Sequence, residues 1–449
     1  METIVDGRAN VIRLLGKQCA KETHYRMMNY VIQGECEDGV LLHNSITGQL
    51  VLLNDEEASL LNSLPGYRTE AMTGLIENHF LVPLKYDERD VVKKLRHLLV
   101  RLDSSTGIES YTILTTTNCN ARCFYCYESD LPRLNMDEET AEKLVDYMVK
   151  HKGNKSLKLH WFGGEPLVCA NRIDQICETL RMRNVDYVSS MTSNGYLFTE
   201  EMAEKAATLW KLDCVQITLD GTEETYNRTK AYVGIVGSPY QRVMKNIQML
   251  ISKGIRVIIR LNLDKHNADD LMNLVAELNE VIENREKIEV YSHVLFEDAG
   301  FAPIERDEDS RTMLYNLQLD LNRKLENARL GKRHRTLPVI KTHGCMADTD
   351  RAAVIYPDGR MFKCEHVYIG DEYGSIDTDI TNEEGINKFK RIIELDICES
   401  CPLYPSCILL ENCQGVPDKN KYTCKYEVER TVCSLSDYYQ RYKSKREKA

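Results

Sequence analysis

Three cysteines in one short stretch are the residues of this sequence with the clearest capacity for chemistry. Cys119, Cys123 and Cys126 stand in TTTNCNARCFYCYE, directly after a strand-like segment. Three thiolates can hold three irons of a 4Fe–4S cubane and leave the fourth iron open to chelate an amino and a carboxylate group. A zinc knuckle that lacks its fourth ligand, or three packed cysteines, is the alternative. The motifs that follow along the chain favour the cluster.

A second group of eight cysteines lies between Cys345 and Cys433. It begins with C-x13-G-x4-C, through Gly359, and continues with Cys398, Cys401, Cys407, Cys413, Cys424 and Cys433. Eight thiolates are the complement of two fully ligated cubanes. Two tetrahedral zinc sites would use the same eight residues, so the spacing alone leaves both metals open. The remaining cysteines are scattered among apolar positions, where we expect ordinary core residues: Cys19, Cys36, Cys169, Cys177 and Cys214.

Polar and glycine-rich motifs follow the strand-like segments at 163–166 (GGEP), 193–195 (SNG) and 218–221 (TLDG). The two glycines would let the backbone approach a ligand closely, and Glu165 could orient an ammonium group. Each motif alone is also compatible with a plain turn. The candidate ligand-binding residues are Tyr125, Gly163, Gly164, Glu165, Ser193, Asn194, Thr218, Arg228 and Asn262.

Six strand-like segments separated by amphipathic helices must position these motifs: SYTILTTT, KLHWFGG, DYVSSMTSN, CVQITLD, RVIIRLNLD and IEVYSHVLF. Their alternation predicts an α/β fold with parallel strands, and motifs at strand C-termini favour a (β/α)6 partial TIM barrel over an open sheet. The first 105 residues instead predict short strands and helices in a winged-helix-like plan. We therefore expect a winged-helix-like domain at 1–105, the barrel at 106–300, a linker and helix at 301–340, and a cysteine-rich domain at 341–449.

Composition narrows the class of partner. The 449 residues carry 58 Lys and Arg against 69 Asp and Glu, a net charge of −11, which disfavours nucleic acid and anionic membranes. Residues 1–105 hold 12 basic and 15 acidic side chains, so the winged-helix-like plan is not expected to bind DNA. No run of eighteen apolar residues occurs. We expect a cytoplasmic protein, whose reduced thiols would bind metal rather than form disulfides.

The motifs CNARCFYC, GGEP, SNG and LDG resemble those of the radical S-adenosylmethionine (SAM) superfamily, and specifically its peptide-modifying branch with a C-terminal SPASM domain. The resemblance implies that Cys119, Cys123 and Cys126 ligate the cluster that cleaves SAM to a hydrogen-abstracting 5′-deoxyadenosyl radical. It also implies that the motif residues contact SAM. The later spacings resemble the SPASM pattern, which carries two auxiliary 4Fe–4S clusters and would bring the total to three.

The resemblance also implies a partition of the later cysteines. Cys398, Cys401 and Cys407 plus one late cysteine would hold the distal cluster, while Cys345, Cys364 and Cys413 belong to the proximal one. The sequence departs from the pattern at Glu411, where a cysteine is usual. Either Cys424 or Cys433 could therefore complete the distal set, and the proximal cluster could have an open iron.

The expected reaction is formation of sulfur-to-carbon thioether crosslinks in a ribosomally made, Cys-containing precursor peptide. The first domain would bind the leader of that peptide at a sheet edge, a ferredoxin or flavodoxin would supply electrons, and Glu365 could act as a base. Formylglycine formation by a sulfatase-maturase-like enzyme, a C–C or C–O crosslink, and epimerisation are alternatives. A non-catalytic Fe–S or zinc protein that binds peptide or carries electrons is the alternative from another class.

Overall fold

The computed structural model describes residues 1–16, 22–103, 106–295, 307–331, 337–366, 369–380, 382–411, 413 and 421–446. Cys19, which we expected to be a core cysteine, lies outside the described residues. The other four scattered cysteines are buried or half-buried, as expected.

Six parallel strands, each followed by at least one helix, form the centre of the molecule and confirm the expected partial barrel. The strands are β8 Ser110–Thr116, β9 Leu157–Gly163, β10 Tyr187–Ser193, β11 Leu212–Leu219, β12 Arg256–Leu263 and β13 Ile288–Val294. The helices are α5 Glu138–His151, α6 Ala170–Met182, α7 Glu200–Thr208, α8 Glu223–Lys230, α9 Pro239–Ser252 and α10 Ala268–Val281. The strands lie in sequence order from β8 to β13. All six strand C-termini therefore meet at one edge, where the polar motifs stand.

The strand β11 illustrates why these segments become strands. Val215 and Ile217 are fully buried in the core between the sheet and the helices. The intervening Gln216 and Thr218 are half-buried and point to the opposite face, as the period of two requires. Each strand thus presents one apolar face to the helices and one more polar face to the barrel interior.

The described residues of the N-terminal region form two small antiparallel sheets and four helices. Its strands are β1 Glu2–Val5, β2 His24–Met27, β3 Val31–Cys36, β4 Gly39–Asn44, β5 Leu50–Leu53, β6 Gly66–Tyr67 and β7 Leu81–Pro83. Its helices are α1 Ala9–Leu15, α2 Asp55–Leu61, α3 Thr73–Glu77 and α4 Glu88–Leu102. The sheet orders are β1-β5-β4-β3 and β6-β2-β7. Asn54 and Glu57 form a reciprocal capping box at the start of α2.

The cysteine-rich region continues the barrel sheet. Its elements are α11 Glu308–Asn327, β14 Ala352–Ile355, β15 Arg360–Phe362, β16 Gly374–Ser375, β17 Asp379–Ile380, α12 Glu383–Asn387, β18 Ile392–Ile393, β19 Leu409–Leu410 and α13 Lys421–Arg446. The strand β14 pairs in parallel with β8, and β15 to β17 follow it in the same sheet. The cysteine-rich region is therefore joined to the barrel through β8, the strand that precedes the first cysteine loop.

A shared core joins the last helix to the N-terminal region. Leu435 and Tyr439 of α13 pack with Ile32 and Leu41 of the first sheet. Tyr439 also donates a hydrogen bond to Asp38 at 2.8 Å. Within the described part of the chain, no helix combines the length and apolar character needed to cross a membrane.

Candidate active site

Cys119, Cys123 and Cys126 lie in the loop that follows β8, and their thiols are close enough to influence one another electrostatically. Burial raises the pKa of Cys119 to about 12, and the charges of Glu165, Cys123 and Cys126 also raise it. Burial likewise raises the pKa of Cys126 to about 11. Thiols in such surroundings ionise only when a cation compensates the charge, which suits a set of metal ligands.

Neighbouring backbone atoms of the protein leave no room for a side chain at the two glycines of GGEP. A Cβ on Gly163, whose φ is +105°, would meet the carbonyl oxygen of Thr116 at 2.3 Å. A Cβ on Gly164 would meet the carbonyl oxygens of Asn118 and Thr117 at 2.4 and 2.6 Å. We predicted close approach of a ligand at these positions. The structure instead shows the backbone of the cysteine loop packed against them, which fixes that loop on the end of β9.

Glu165 is fully buried and joins GGEP to the SNG motif. Its carboxylate accepts hydrogen bonds from the Ser193 hydroxyl at 2.9 Å and from the backbone N–H of Asn194 at 2.8 Å. Burial raises the pKa of Glu165 to about 7, although these hydrogen bonds oppose the shift. The Asn194 side chain donates to Asn120 at 2.7 Å, within the cysteine loop. Three predicted residues therefore lie together beside Cys119.

Tyr125 belongs to a buried cluster that includes two residues we did not predict, Asp220 and Lys230. Its hydroxyl lies 2.9 Å from both carboxylate oxygens of Asp220, and the ammonium of Lys230 donates to it at 2.8 Å. Lys230 also pairs with Asp220 at 3.0 Å, and the two side chains are 5% and 1% exposed. Burial lowers the pKa of Lys230, but the nearby charges of Asp220, Tyr125 and Cys123 raise it by more. The pKa of Lys230 is therefore well above its usual value.

Arg228 was the cation predicted for this site, and the structure does not support that prediction. Its side chain is 68% exposed and pairs with Glu224, one turn earlier on α8. Lys230, two residues later, occupies the buried position because the helix turns by about 200° over two residues. The segment YNRTK contains both cations. Because Lys230 lies one helical turn after the buried Tyr226, the amphipathic pattern of α8 would have favoured Lys230 as the buried cation.

Thr218 and Asn262 lie on the interior face of the barrel, as expected for a site at the strand C-termini. Thr218 pairs in register with Arg260 of β12. The guanidinium of Arg260 donates from Nε to the side-chain oxygen of Asn262 at 2.9 Å. These three side chains form a polar layer across neighbouring strands.

Seven of the eight later cysteines divide into a group of three and a group of four. Burial raises the pKa of Cys364 to about 12, and its neighbours Glu365, Cys345 and Cys413 also raise it. Cys345 in turn has Cys413 as an electrostatic neighbour. Cys345, Cys364 and Cys413 therefore form one group, next to β14 and β15.

The group of four comprises Cys398, Cys401, Cys407 and Cys424. Burial raises the pKa of Cys407 to about 11, and Cys401, Cys424 and Cys398 also raise it. Cys424 has Cys401 and Cys398 as its first electrostatic neighbours after burial. The structure thus favours Cys424, near the start of α13, as the fourth member of this group.

Cys433 lies apart from the group of four, so the structure does not support the prediction that it could complete the distal set. It is an exposed residue of α13, nine residues after Cys424. Nine residues of helix span about 13.5 Å, which is too far for one site to include both thiols. The count of grouped thiols is consequently seven rather than the eight that the sequence suggested.

Glu365 lies between the first cysteine loop and the group of three. Its pKa is raised by burial, and the charge of Arg260 opposes the shift. Glu128, buried and two residues after Cys126, is its electrostatic neighbour: burial raises the pKa of Glu128 to about 8, and Glu365 raises it further. The Tyr127 ring stacks on His366 with centroids 4.1 Å apart. A carboxylate at position 365 is therefore not a surface group but part of the contact between the two cysteine regions.

Among the described residues, no three His, Cys, Asp or Glu side chains surround a single ion-sized point. Each thiolate of a cubane binds a different iron, so the sulfurs need not converge on one point. A buried polar atom without a partner, Nδ2 of Asn120, also lies in the first cysteine loop and could serve a bound group.

Comparison with known proteins assigns the barrel to a family. Residues 113–278 match the Radical SAM superfamily. Curated relatives include a GTP 3′,8-cyclase from Rhodopirellula baltica, 33% identical over 156 residues, which are 33% of this chain and 41% of the relative. The sporulation killing factor maturation protein SkfB from Bacillus subtilis is 26% identical over 182 residues, which are 40% of this chain and 42% of SkfB. The chain thus spans about two fifths of the length of the first curated relatives.

Solved structures share more of the fold. The protein anSMEcpe with bound AdoMet superposes with a TM-score of 0.57 at 16% identity, over 73% of this chain and 99% of anSMEcpe. Streptococcus suis SuiB bound to its precursor peptide SuiA superposes with a TM-score of 0.51 at 13% identity, over 85% of this chain and 94% of SuiB. The likeness therefore includes regions on both sides of the barrel.

The barrel matches the Radical SAM superfamily over residues 113–278, as the sequence motifs indicated. The architecture of the chain resembles that of the SPASM-type proteins among the solved structures. SAM and a 4Fe–4S cluster are typical of this superfamily.

Proposed function

We propose that this enzyme installs thioether crosslinks, joining a Cys sulfur to a carbon atom in a ribosomally made precursor peptide. The observation that carries the proposal is the group of three thiols at Cys345, Cys364 and Cys413. Three thiolates leave one iron of a cubane open, and an open iron can bind the thiolate of a substrate cysteine. Glu365 adjoins this group and faces the region of the first cysteine loop.

The proposed ligand sets follow from the grouping of the thiols. Cys119, Cys123 and Cys126 would hold the SAM-binding cluster, and Cys398, Cys401, Cys407 and Cys424 a fully ligated distal auxiliary cluster. With the three-thiol proximal set, the enzyme would contain three 4Fe–4S clusters. SAM bound at the reduced first cluster supplies a 5′-deoxyadenosyl radical that takes a hydrogen atom from carbon.

The residues around the first cysteine loop would bind and orient the cofactor. Glu165, held by Ser193 and Asn194, places a carboxylate beside Cys119, where it could pair with an ammonium group. Lys230 places a buried ammonium beside Cys123 and holds Tyr125 through its hydroxyl. Fixed charges in a site shielded from water orient a charged ligand strongly.

The balance of the reaction assigns a role to each remaining group. A C–H bond and an S–H bond of the peptide break, and one C–S bond forms. SAM, when bound, would supply the acceptor for the hydrogen atom from carbon, Glu365 would take the proton from sulfur, and an auxiliary cluster held by the later cysteines would supply the acceptor for one electron. The peptide thus loses two hydrogens for each crosslink, and an external ferredoxin or flavodoxin supplies the electron that starts each turnover.

The N-terminal region would select the peptide. Its two small sheets present strand edges, to which an extended leader segment could add as a further strand. The fold it shares in part with SuiB, whose solved structure contains the precursor peptide SuiA, supports a peptide partner. Formylglycine formation remains the alternative that the experiment must distinguish.

The test is an anaerobic reaction of the reconstituted enzyme with SAM, dithionite and a Cys-containing precursor peptide encoded beside the gene. We expect deoxyadenosine, a mass decrease of two hydrogens per crosslink, and a cysteine that iodoacetamide no longer alkylates. Glu365→Gln should still form deoxyadenosine but produce less crosslinked peptide. Cys214→Ala, which alters a cysteine outside all three groups, serves as the control. Oxidation of the peptide without a ring, or protein that holds zinc and forms no deoxyadenosine, would contradict the proposal.

A further inference from the structure

Helix α4 of the N-terminal region contacts the backbone of the distal cysteine loop through one arginine. Nη2 of Arg96 lies 2.7 Å from the carbonyl oxygen of Tyr404, 3.2 Å from that of Pro405 and 3.1 Å from that of Cys407. Its Nε donates to the carbonyl oxygen of Lys341 at 3.1 Å. One guanidinium therefore serves four carbonyl groups of two segments, and three of them belong to the loop that carries Cys401 and Cys407.

The N-terminal region also holds the side chain of Tyr404, which belongs to the same loop. The Tyr404 ring lies in the N-terminal core and stacks on Tyr30, with centroids 5.6 Å apart. The guanidinium of Arg96 lies 5.0 Å from the Tyr404 ring centroid, within the range of a cation–π contact. The Tyr404 hydroxyl donates to Glu394 at 2.6 Å, and Glu394 is in turn paired with Arg89 of α4. Backbone and side chain of the loop thus both depend on α4.

Arg96 also supplies positive charge at this position. Burial lowers the pKa of Arg96, while Tyr404 and Cys407 raise it, and a guanidinium stays protonated under such conditions. Charge and hydrogen bonds close to the ligating sulfurs set the reduction potential of an iron–sulfur cluster, and partners that hold ligands in place determine how firmly the metal is kept.

We propose that Arg96 is a positioning residue for the distal auxiliary cluster, so that the N-terminal region, in addition to recognising peptide, forms part of this cluster site. Arg96 holds the loop at 401–407 in the conformation in which Cys398, Cys401, Cys407 and Cys424 face one another. Its charge favours the reduced cluster. The inference depends on the proposed four-thiol cluster and is independent of the bond that the enzyme forms in the peptide.

The test compares Arg96→Met and Arg96→Lys with wild-type enzyme after anaerobic reconstitution. Lys94→Met is the matched control, because Lys94 is an exposed cation of the same helix, paired with Asp90. We measure iron and sulfide per chain, the rate of iron release to a chelator, and the midpoint potential of the distal cluster by EPR-monitored titration. Arg96→Met should release the iron of one cluster about tenfold faster or more, as expected when hydrogen bonds from a charged donor are lost.

The two Arg96 variants separate charge from geometry. Arg96→Met should also lower the midpoint potential, because a positive charge is removed, whereas Arg96→Lys should keep a potential closer to that of wild type and still release iron faster. Lys94→Met should match wild type in every measurement. Circular dichroism of the metal-free protein shows whether Arg96→Met folds. If it does not, the rate of iron release from Arg96→Lys, compared with wild type, tests the inference.

Equal iron release and equal potential in wild type and both Arg96 variants would overturn the inference. The differences in iron release and midpoint potential between wild type and the Arg96 variants test the role of Arg96. The product of the peptide reaction tests the proposed crosslinking. Failure to crosslink a peptide with all three clusters present would therefore refute the proposed function and leave the difference measured at Arg96 as support for this inference.

Discussion

Replacing Cys424 and Cys433 separately by alanine tests how the late cysteines are divided. Both residues lie on α13, so the two substitutions perturb the same helix in the same way. Cys424 has Cys401, Cys398 and Cys407 as neighbours, whereas Cys433 is exposed and belongs to no group of thiols. Only the first substitution should remove a proposed cluster ligand.

The magnitude follows from cluster stoichiometry and helix geometry. Three 4Fe–4S clusters require about 12 irons per chain. Cys424→Ala leaves three thiolates for the distal cluster and should cost at least one iron and up to about four. Cys433 lies about 13.5 Å further along the helix, so its thiol cannot replace that of Cys424, and Cys433→Ala should keep the full complement.

The assay is anaerobic reconstitution followed by iron and sulfide analysis and EPR of the reduced protein. The EPR signal of one cluster should change or disappear in Cys424→Ala, while the signals of Cys433→Ala should match those of wild type. Loss of a cluster from Cys433→Ala with an intact complement in Cys424→Ala would refute the assignment. Zinc in place of iron in the wild type would refute the proposed clusters themselves.

Two further predictions concern charges and protons in the metal-free protein. Lys230→Met should lower the free energy of unfolding by about 3–5 kcal/mol, because it leaves the buried carboxylate of Asp220 without its cationic partner. Denaturant unfolding should show that Lys230→Met/Asp220→Asn recovers part of the loss, and a loss below about 1 kcal/mol would contradict the buried pair. Burial lowers the pKa of His43, which lies 2.7 Å from the Pro338 carbonyl oxygen, from 6.5 to about 4. Between these values the unfolded chain binds a proton that the folded chain does not, so stability should fall by up to about 3 kcal/mol as the pH drops from 6.5 to 4. His43→Gln should flatten the measured dependence in that window, and the exposed His97→Gln should leave it unchanged.

The sequence by itself determined the local features of the site and the type of fold. The spacing of Cys119, Cys123 and Cys126 and the alternation of strands and helices act over a few residues to a few turns, so they could be recognised without coordinates. The capping box at Asn54 and Glu57 is a feature of the same kind. Because motifs at the ends of parallel strands must meet at one edge, the barrel mouth could also be predicted.

The tertiary structure decided which side chains meet. The amphipathic pattern of α8 favours Lys230 over Arg228 as the buried cation, but only the packing of the helix brings Lys230 to Asp220 and Tyr125. Cys424 and Cys433 are equivalent as thiols, but the placement of α13 brings only Cys424 to the group of four. Arg96 and the Tyr404 carbonyl are 308 residues apart. Contacts at such separations depend on how whole elements pack, and no pattern within a short stretch of sequence encodes that packing.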